Sequence, residues 1–413
     1  MTRVTRPPPA ERRAPEVAET LPASGVVAVR ERPNTRLLAL LAVGHLVVDM
    51  NQGALAPLLP FLKTAFGLSY ATSAAILLVA NMTSSLVQPV FGYLADRATR
   101  RWLLPWAVLL AASGVSLAGL VPSYGALLGV VVLSGLGVAA YHPEGYRTAN
   151  QVAGDRKATG LSLFSIGGNI GIALGPPAIT FLVPRFGLPG TLGLLAPGLL
   201  VAGLLATVLP ALITAPVPGT TARATRAGGR DMRGAMALLI GVVTVRSWTQ
   251  LGLVTYVPFL YVDLLGQDPR VVGMLLFLFL GAGAVGTLAG GPIADRWGSR
   301  RYIVASLLLS TPLIALFLWR PGGWIAAVAL GATGFVLVSS FSITVALGQA
   351  YLPRSLGMAA GLIVGLAIGT GGIGVTILGW VADHWGLYAA LGVVAALPLA
   401  GLVIAVCLPE PPP

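Results

Sequence analysis

A helix needs about 20 consecutive, mostly apolar residues to cross the hydrocarbon core of a bilayer, and this chain holds twelve such stretches. They run over approximately 36–63, 70–95, 102–121, 125–149, 157–183, 188–212, 235–263, 271–294, 301–319, 324–350, 356–382 and 387–408. Lipid offers the backbone no hydrogen-bond partner, so an open chain crosses it only as helices, which satisfy their own N–H and C=O groups. The expected fold class is therefore an all-α membrane protein with twelve transmembrane helices. Composition agrees: 56% of residues are hydrophobic and 10% charged, where a soluble globular chain carries about 25% charged. The 53 glycines would weaken helices in water, but in lipid they let helix backbones approach closely.

The net charge of +12 could suggest a nucleic-acid binder, which would need its basic residues gathered on one wet face. They are instead distributed by loop. Seven arginines precede Leu37. Arg97, Arg100 and Arg101 follow the second segment, and Arg147, Arg156 and Lys157 follow the fourth. Arg223, Arg226, Arg230 and Arg233 follow the sixth, Arg296, Arg300 and Arg301 the eighth, and Arg354 the tenth, which accounts for 21 of the 26 basic residues. Lys63, Arg185, Arg270 and Arg320 stand singly in the alternate loops, and Arg246 lies inside a segment. This is the positive-inside bias, and it predicts that both termini are cytoplasmic. Nucleic acid is excluded as a partner, while anionic lipid headgroups accompany the basic loops. The single cysteine, Cys407, excludes an intramolecular disulfide and a cysteine-based metal cluster, and is expected to pack as a small apolar residue. The start of the chain is rich in proline and arginine without the apolar core of a cleavable signal peptide, so 1–35 reads as a disordered cytoplasmic tail.

The polar, basic stretch 213–234 separates six segments from six and reads as a cytoplasmic linker between bundles spanning 36–212 and 235–408, with a short cytoplasmic tail at 409–413. An internal repeat supports the division. GYLADRATRR from Gly92 and GPIADRWGSRR from Gly291 share a glycine, then Asp-Arg, then an arginine pair, at an offset of 199 residues. The same offset carries Phe186-Gly187 onto Trp385-Gly386. Two pseudo-symmetric six-helix bundles related by an axis along the membrane normal are an architecture of secondary transporters.

With these motifs in view, the chain resembles the major facilitator superfamily, whose most specific signature is the loop carried here by Gly92, Asp96, Arg97 and Arg101 and repeated by Gly291, Asp295, Arg296 and Arg300. The first copy departs at Thr99, where glycine is usual, and the second at Ser299, in place of an arginine. An acid beside a helix end and bases on the cytoplasmic rim can latch one conformation, so these residues, with Arg147, are gating candidates; setting topology alone is the other use open to them. GGNIGIALGPP at Gly167–Pro177 looks like the glycine-proline motif of the superfamily's exporters. Gly171, Gly175 and Pro176, with Pro143 in segment 4, are candidates for helix bending, small-residue packing being the alternative. GHLVVDM, SSLVQPVFGYLADR, YHPEGYRTA, GGNIG and GLIVGLAIGTGGIG narrow the resemblance to the fosmidomycin-resistance branch of drug exporters. That resemblance implies proton-driven export of fosmidomycin-like or other toxic small molecules, from a protein of the bacterial cytoplasmic (inner) membrane. Related antiporters carry an arginine in segment 4 that VVVLSGLGVAA lacks, so any coupling role of that residue lies elsewhere or is absent.

Ionisable groups inside a bilayer cost about 2.5–3.5 kcal/mol on insertion scales and point to function. His45 and Asp49 are four apart and share a helix face. Burial and a neighbouring imidazolium act on the aspartate in opposite senses, which suits a proton carrier; a structural pair bridging to another helix is the alternative. His142 and Glu144 flank Pro143, and Glu144 can pair with Arg147 three residues on as a rim salt bridge; His142 is the better placed for the proton path. Arg246 is basic, deep within segment 7, and has no acid within four positions. It either faces a watery cavity, where an anionic substrate such as a phosphonate gains bidentate hydrogen bonds, or bridges the bundles to Asp49 or Glu144. Asn51, Gln52, Asn81, Gln88, Asn169, Gln250, Tyr256 and Gln349 complete a candidate binding set as a group, while any one of them taken alone reads first as interhelical glue.

The expected activity is thus secondary active transport by alternating access, in a monomer whose partners are a small molecule, protons and lipid. An importer or facilitator of an organic anion and a non-transporting membrane sensor are the alternatives. No nucleotide-binding glycine loop or metal cluster is found, so no cofactor and no enzymatic activity are expected.

Overall fold

The computed structural model of the protein describes residue 2 and residues 33–97, 101–154, 156–214, 231–355, 358–359, 361–367 and 369–410. Almost all of the expected N-terminal tail, most of the expected linker and the last three residues lie outside the described residues.

The first half comprises α1 (Thr35–Phe66), α2 (Tyr70–Arg97), α3 (Leu103–Leu117), α4 (Tyr124–Val152), α5 (Lys157–Phe186) and, after a 3-10 turn at Leu188–Leu194, α6 (Leu195–Thr214). The second comprises α7 (Arg233–Phe259), continued by a π turn at Leu260–Leu264, then α8 (Pro269–Trp297), α9 (Ser299–Trp319) and α10 (Gly323–Tyr351). A π-helical stretch at Gly361–Ala367 leads to α11 (Gly371–Trp385) and α12 (Leu387–Ala405). Among the described residues ten helices are long and apolar enough to cross a membrane. The third and eleventh expected spans rest on shorter helices, α3 and α11, of 15 residues each.

Local sequence sets where helices begin and end. The Asn34 side chain accepts from Leu37 N at 3.1 Å and caps the start of α1. Gly67 ends that helix at φ 62°, and Gly266, 199 residues on, closes the turn after α7 at φ 59°. Gly187 and Gly386, again 199 apart, adopt φ 69° and 86° at the junctions after α5 and α11. These backbone angles strain any residue with a Cβ, so the repeat preserves glycine where the chain turns.

Within the first half α1 packs on α5 and α4 on both α2 and α3; within the second, α10 packs on α8 and α9, and α7 on α12. The halves meet chiefly through α2 against α11 and α5 against α8. A six-helix shift turns one interface into the other, as a twofold axis along the membrane normal requires. Both are built on close backbone approach. A Cβ on Gly273 would fall 2.0 Å from Thr180 Oγ1 and 3.0 Å from Pro177 Cα, and one on Gly379 only 2.7 Å from Ala71 Cα. In lipid, where burial of apolar surface drives little, such contact is the main source of helix association.

The apolar cores show where the halves are joined. One cluster runs continuously from Leu55, Leu59 and Ile76 of the first half to Val257, Phe279 and Leu378 of the second. The other two stay within single halves, around Leu38, Val108 and Phe164 and around Leu239, Ile303 and Leu347. The shared core lies toward the end opposite the basic loops, and the separate cores lie toward the basic end.

Candidate functional site

Asp49, on α1, is held between two imidazoles. His45 Nε2 lies 3.3 Å from its Oδ2, and His142 Nε2, from α4, 3.2 Å from its Oδ1. The His45 Nδ1 is 2.8 Å from the Phe164 carbonyl of α5. A carbonyl only accepts, so Nδ1 donates, and a neutral His45 turns a lone pair rather than a hydrogen toward Asp49. The 3.3 Å contact is then a hydrogen bond only with a proton between the two groups, as imidazolium and carboxylate or as imidazole and carboxylic acid. Either way the pair holds one proton more than a neutral histidine and an ionised aspartate would. The His45 ring stacks on Phe164 at 4.3 Å, with Tyr146 edge-on at 6.0 Å. Gly168 closes the site from α5, where a Cβ would lie 2.5 Å from His45 Nε2 and 2.6 Å from Asp49 Oδ2. Among the described residues these three side chains form the one group of His, Cys, Asp or Glu ligand atoms within 4.8 Å of one another.

One turn further along α1, Gln52 and Gly53 line a cavity of about 330 Å³ between the halves. Asn81 of α2, Arg246 and Gln250 of α7 and Phe341 of α10 line it as well. Arg246 is buried, at 3% exposure. Its Nη1 donates to Gln250 Oε1 at 3.4 Å, its guanidinium lies 5.7 Å from the Phe341 ring centroid, and its Nε has no hydrogen-bond partner. No acidic side chain among the described residues lines the cavity. The structure thus brings Arg246 together with Gln52, Asn81 and Gln250, and leaves Asp49 with its histidines.

The remaining candidates lie elsewhere. Glu144 is fully buried and acts on Arg101 instead of joining the histidines. Arg101, also buried, donates from Nη2 to Gln151 Oε1 at 2.6 Å. Burial pulls its guanidinium below its usual range, Glu144 offsets part of that, and Arg147 adds to it. Asn51 turns inward and donates to Val47 O at 2.9 Å, while the Tyr256 hydroxyl donates to Val375 O. Gln88 and Gln349 are half-buried away from the cavity, and Asn169 is exposed. Gly92 and Gly291 face open space. Asp295 and Arg296 are exposed, and Arg300 donates to Val406 O. The side chains of Asp96 and Arg97 lie outside the described residues. Pro143 and Pro176 sit in helices that continue past them, and a Cβ on Gly171 or Gly175 would meet Leu46 O at 2.2 Å or Met50 O at 2.5 Å. These glycines serve close packing of α5 on α1. Cys407 is exposed, not packed; it lies past the end of α12, where Leu408 and not Cys407 is the residue turned into the core.

Sequence reasoning missed the contacts that hold the halves together away from the basic loops. Lys63 Nζ reaches Asp263 Oδ2 at 3.1 Å and lies 4.6 Å above the Tyr70 ring. Asp383 of α11 accepts from Tyr70 N at 2.7 Å and Ala71 N at 2.9 Å, capping α2 across the interface. In the sequence these are ordinary loop charges hundreds of positions apart, so only a contact could mark them. At the basic end Asn34 N donates to Val152 O at 2.9 Å and Met232 N to Tyr351 O at 2.7 Å, each within one half.

Comparisons with known proteins agree with this architecture. The family model described as Major Facilitator Superfamily matches residues 41–268 and again 239–413. The chain is 29% identical over 405 residues to the fosmidomycin resistance protein of Escherichia coli (strain K12), covering 94% of this chain and 97% of that one. It is 32% identical over 390 residues to YfnC, an uncharacterized MFS-type transporter of Bacillus subtilis (strain 168), covering 92% and 95%. A bacterial homolog of the human lysosomal transporter Spinster, crystallised in an inward-facing and occupied conformation, superposes with a TM-score of 0.74 at 16% identity, covering 91% of this chain and 96% of that one. With a family model over nearly the whole sequence, the chain belongs to the major facilitator superfamily and is a multi-pass membrane transporter.

Proposed function

We propose that the protein is a proton-coupled exporter that expels small anionic toxic molecules, with fosmidomycin the first cargo to test. The observation that carries this reading is the separation of two chemistries on one scaffold. His45 and Asp49 on α1 stand at a distance at which they can share a proton, and the Arg246 guanidinium of α7 lines a cavity that no acidic side chain among the described residues lines. His142 extends the proton site, while Glu144, on the same helix, stands outside that cluster. The likeness to the fosmidomycin resistance protein supports the direction and the cargo class. With the basic loops in the cytoplasm, the protein here is closed to the outside. It would take up substrate from the cytoplasm and rock about α2–α11 and α5–α8, exchanging substrate for a proton at the outer face.

The test is internal pH in proteoliposomes of the purified protein on adding fosmidomycin. Wild type should give a substrate-dependent proton flux, and Asp49→Asn should abolish it. Arg246→Gln should weaken the half-saturating concentration by at least tenfold, the value of one charged hydrogen bond of about 1.5–3 kcal/mol. Absence of flux with wild type would remove fosmidomycin as cargo; flux surviving Asp49→Asn would move the proton site to His142 or Glu144.

A further inference from the structure

The cavity that holds Arg246 carries more information about its ligand than the charge alone. Eleven of its sixteen lining residues have no polar side-chain atom, among them Leu77 and Ile172 of the first half and Leu280 and Val338 of the second. A second charged end of a ligand would be stripped of water against these walls with no opposite charge to replace it, only the neutral side chains of Gln52, Asn81, Ser247 and Gln250. Among the described residues the positive charge is single, because no other basic residue lines the space, and it is uncompensated, because no acid does. The guanidinium is already buried, with Nε lacking a partner, and a carboxylate presents two acceptors in the fork spacing that Nε and a terminal nitrogen offer. Phe341, beside the guanidinium, gives a planar apolar body a face on which to lie. The volume of about 330 Å³ equals that of roughly eleven liquid waters at about 30 Å³ each, enough for about a dozen non-hydrogen atoms.

Resting on the exporter reading above, we infer that the substrate class this cavity selects is the small amphipathic monoanion, an aromatic or branched aliphatic carboxylate with an uncharged apolar body, in preference to a hydrophilic phosphonate. Arg246 on α7 takes the carboxylate and the apolar body lies against both halves, so that binding draws α1, α2 and α5 toward α7, α8 and α10. Selectivity then comes from the walls: each methylene the cavity buries raises affinity about fourfold, and a polar substituent in its place loses that gain.

The test is isothermal titration calorimetry on the full-length protein in nanodiscs with benzoate, 2-naphthoate, 2-naphthamide and fosmidomycin. 2-Naphthoate is expected to bind at least tenfold tighter than benzoate, than 2-naphthamide and than fosmidomycin. In Arg246→Gln the naphthoate advantage over naphthamide should vanish while Arg246→Lys keeps part of it. Phe341→Ala should cost naphthoate more than benzoate. Thermal unfolding in the same nanodiscs establishes that each variant is folded. Equal binding of naphthoate and naphthamide, tighter binding of fosmidomycin, or no binding of either carboxylate would each overturn the inference. Fosmidomycin-driven proton flux with naphthoate silent would overturn it while leaving the exporter reading intact. Naphthoate binding without fosmidomycin flux would support it and remove only fosmidomycin as cargo.

Discussion

At the scale of single residues, the site depends on who stands above Asp49. Gly168 leaves room for the His45–Asp49 contact, and a Cβ there would meet the movable ends of the two side chains at 2.5 and 2.6 Å. Gly171, one turn on, faces the Leu46 carbonyl at 2.2 Å, and a main chain cannot swing away. The two substitutions should therefore fail differently. Gly168→Ala is expected to lower proton-coupled flux at least tenfold with little change in thermal unfolding, whereas Gly171→Ala should destabilise the protein by about 1–3 kcal/mol through overpacking. Flux and melting temperature measured on both variants check this, and a Gly168→Ala protein with normal flux would show that the pair tolerates being spread. The repeat sharpens the point. The residue 199 positions on from Asp49 is Trp248, and the one 199 positions before Arg246 is Val47. In the proposed mechanism, equivalent helices carry the proton chemistry in one half and the anion chemistry in the other.

At the scale of elements, α2 is held at its start by a carboxylate from the opposite half. Asp383 accepts from both Tyr70 N and Ala71 N, two of the donors that a helix N-terminus leaves without intrahelical partners. Losing an N-cap costs about 1 kcal/mol, which is about a fivefold shift in a two-state equilibrium. Asp383→Ala should therefore populate the state open at that end about fivefold more. The readout is the alkylation rate of a cysteine placed at Ala56, which lines the cavity, in a Cys407→Ser background. A membrane-impermeant maleimide applied from the end opposite the basic loops should react about fivefold faster in the Asp383→Ala protein. An unchanged rate would mean that the Lys63–Asp263 pair and the shared apolar core hold that end closed without the cap.

At the scale of the whole molecule, the residues of the basic loops that the structure describes lie at one end, and the positive-inside bias predicts that this end is cytoplasmic. Arg301 and Arg320, at the two ends of α9, are both exposed. With Cys407 replaced by serine, Arg320→Cys should be labelled by an impermeant maleimide on intact cells and Arg301→Cys only after lysis. The reverse pattern would invert the topology and with it the direction assigned to transport.

The sequence by itself determined the architecture: twelve apolar stretches, a 199-residue repeat and alternating basic loops specify a helical membrane protein in two halves. Hydrocarbon leaves the backbone no other solution, and such signals are local. Two of the stretches gave shorter helices than expected, the third ending at Leu117 and the eleventh starting only at Gly371, since length of apolar run does not say where the backbone loosens, as it does in the π-helical stretch at Gly361–Ala367. The pairing of His45 with Asp49 was legible because four residues make one helical turn. That His142 completes the site, that Phe164 fixes the tautomer, that Arg246 meets a cavity lined by no described acid, and that Glu144 exerts its charge on Arg101, were decided only by the tertiary structure. So was the seal made by Lys63, Asp263 and Asp383. Each depends on which faces of separate helices meet, and in lipid that choice is made by close packing of small residues, a property of pairs of surfaces that no single stretch of sequence contains.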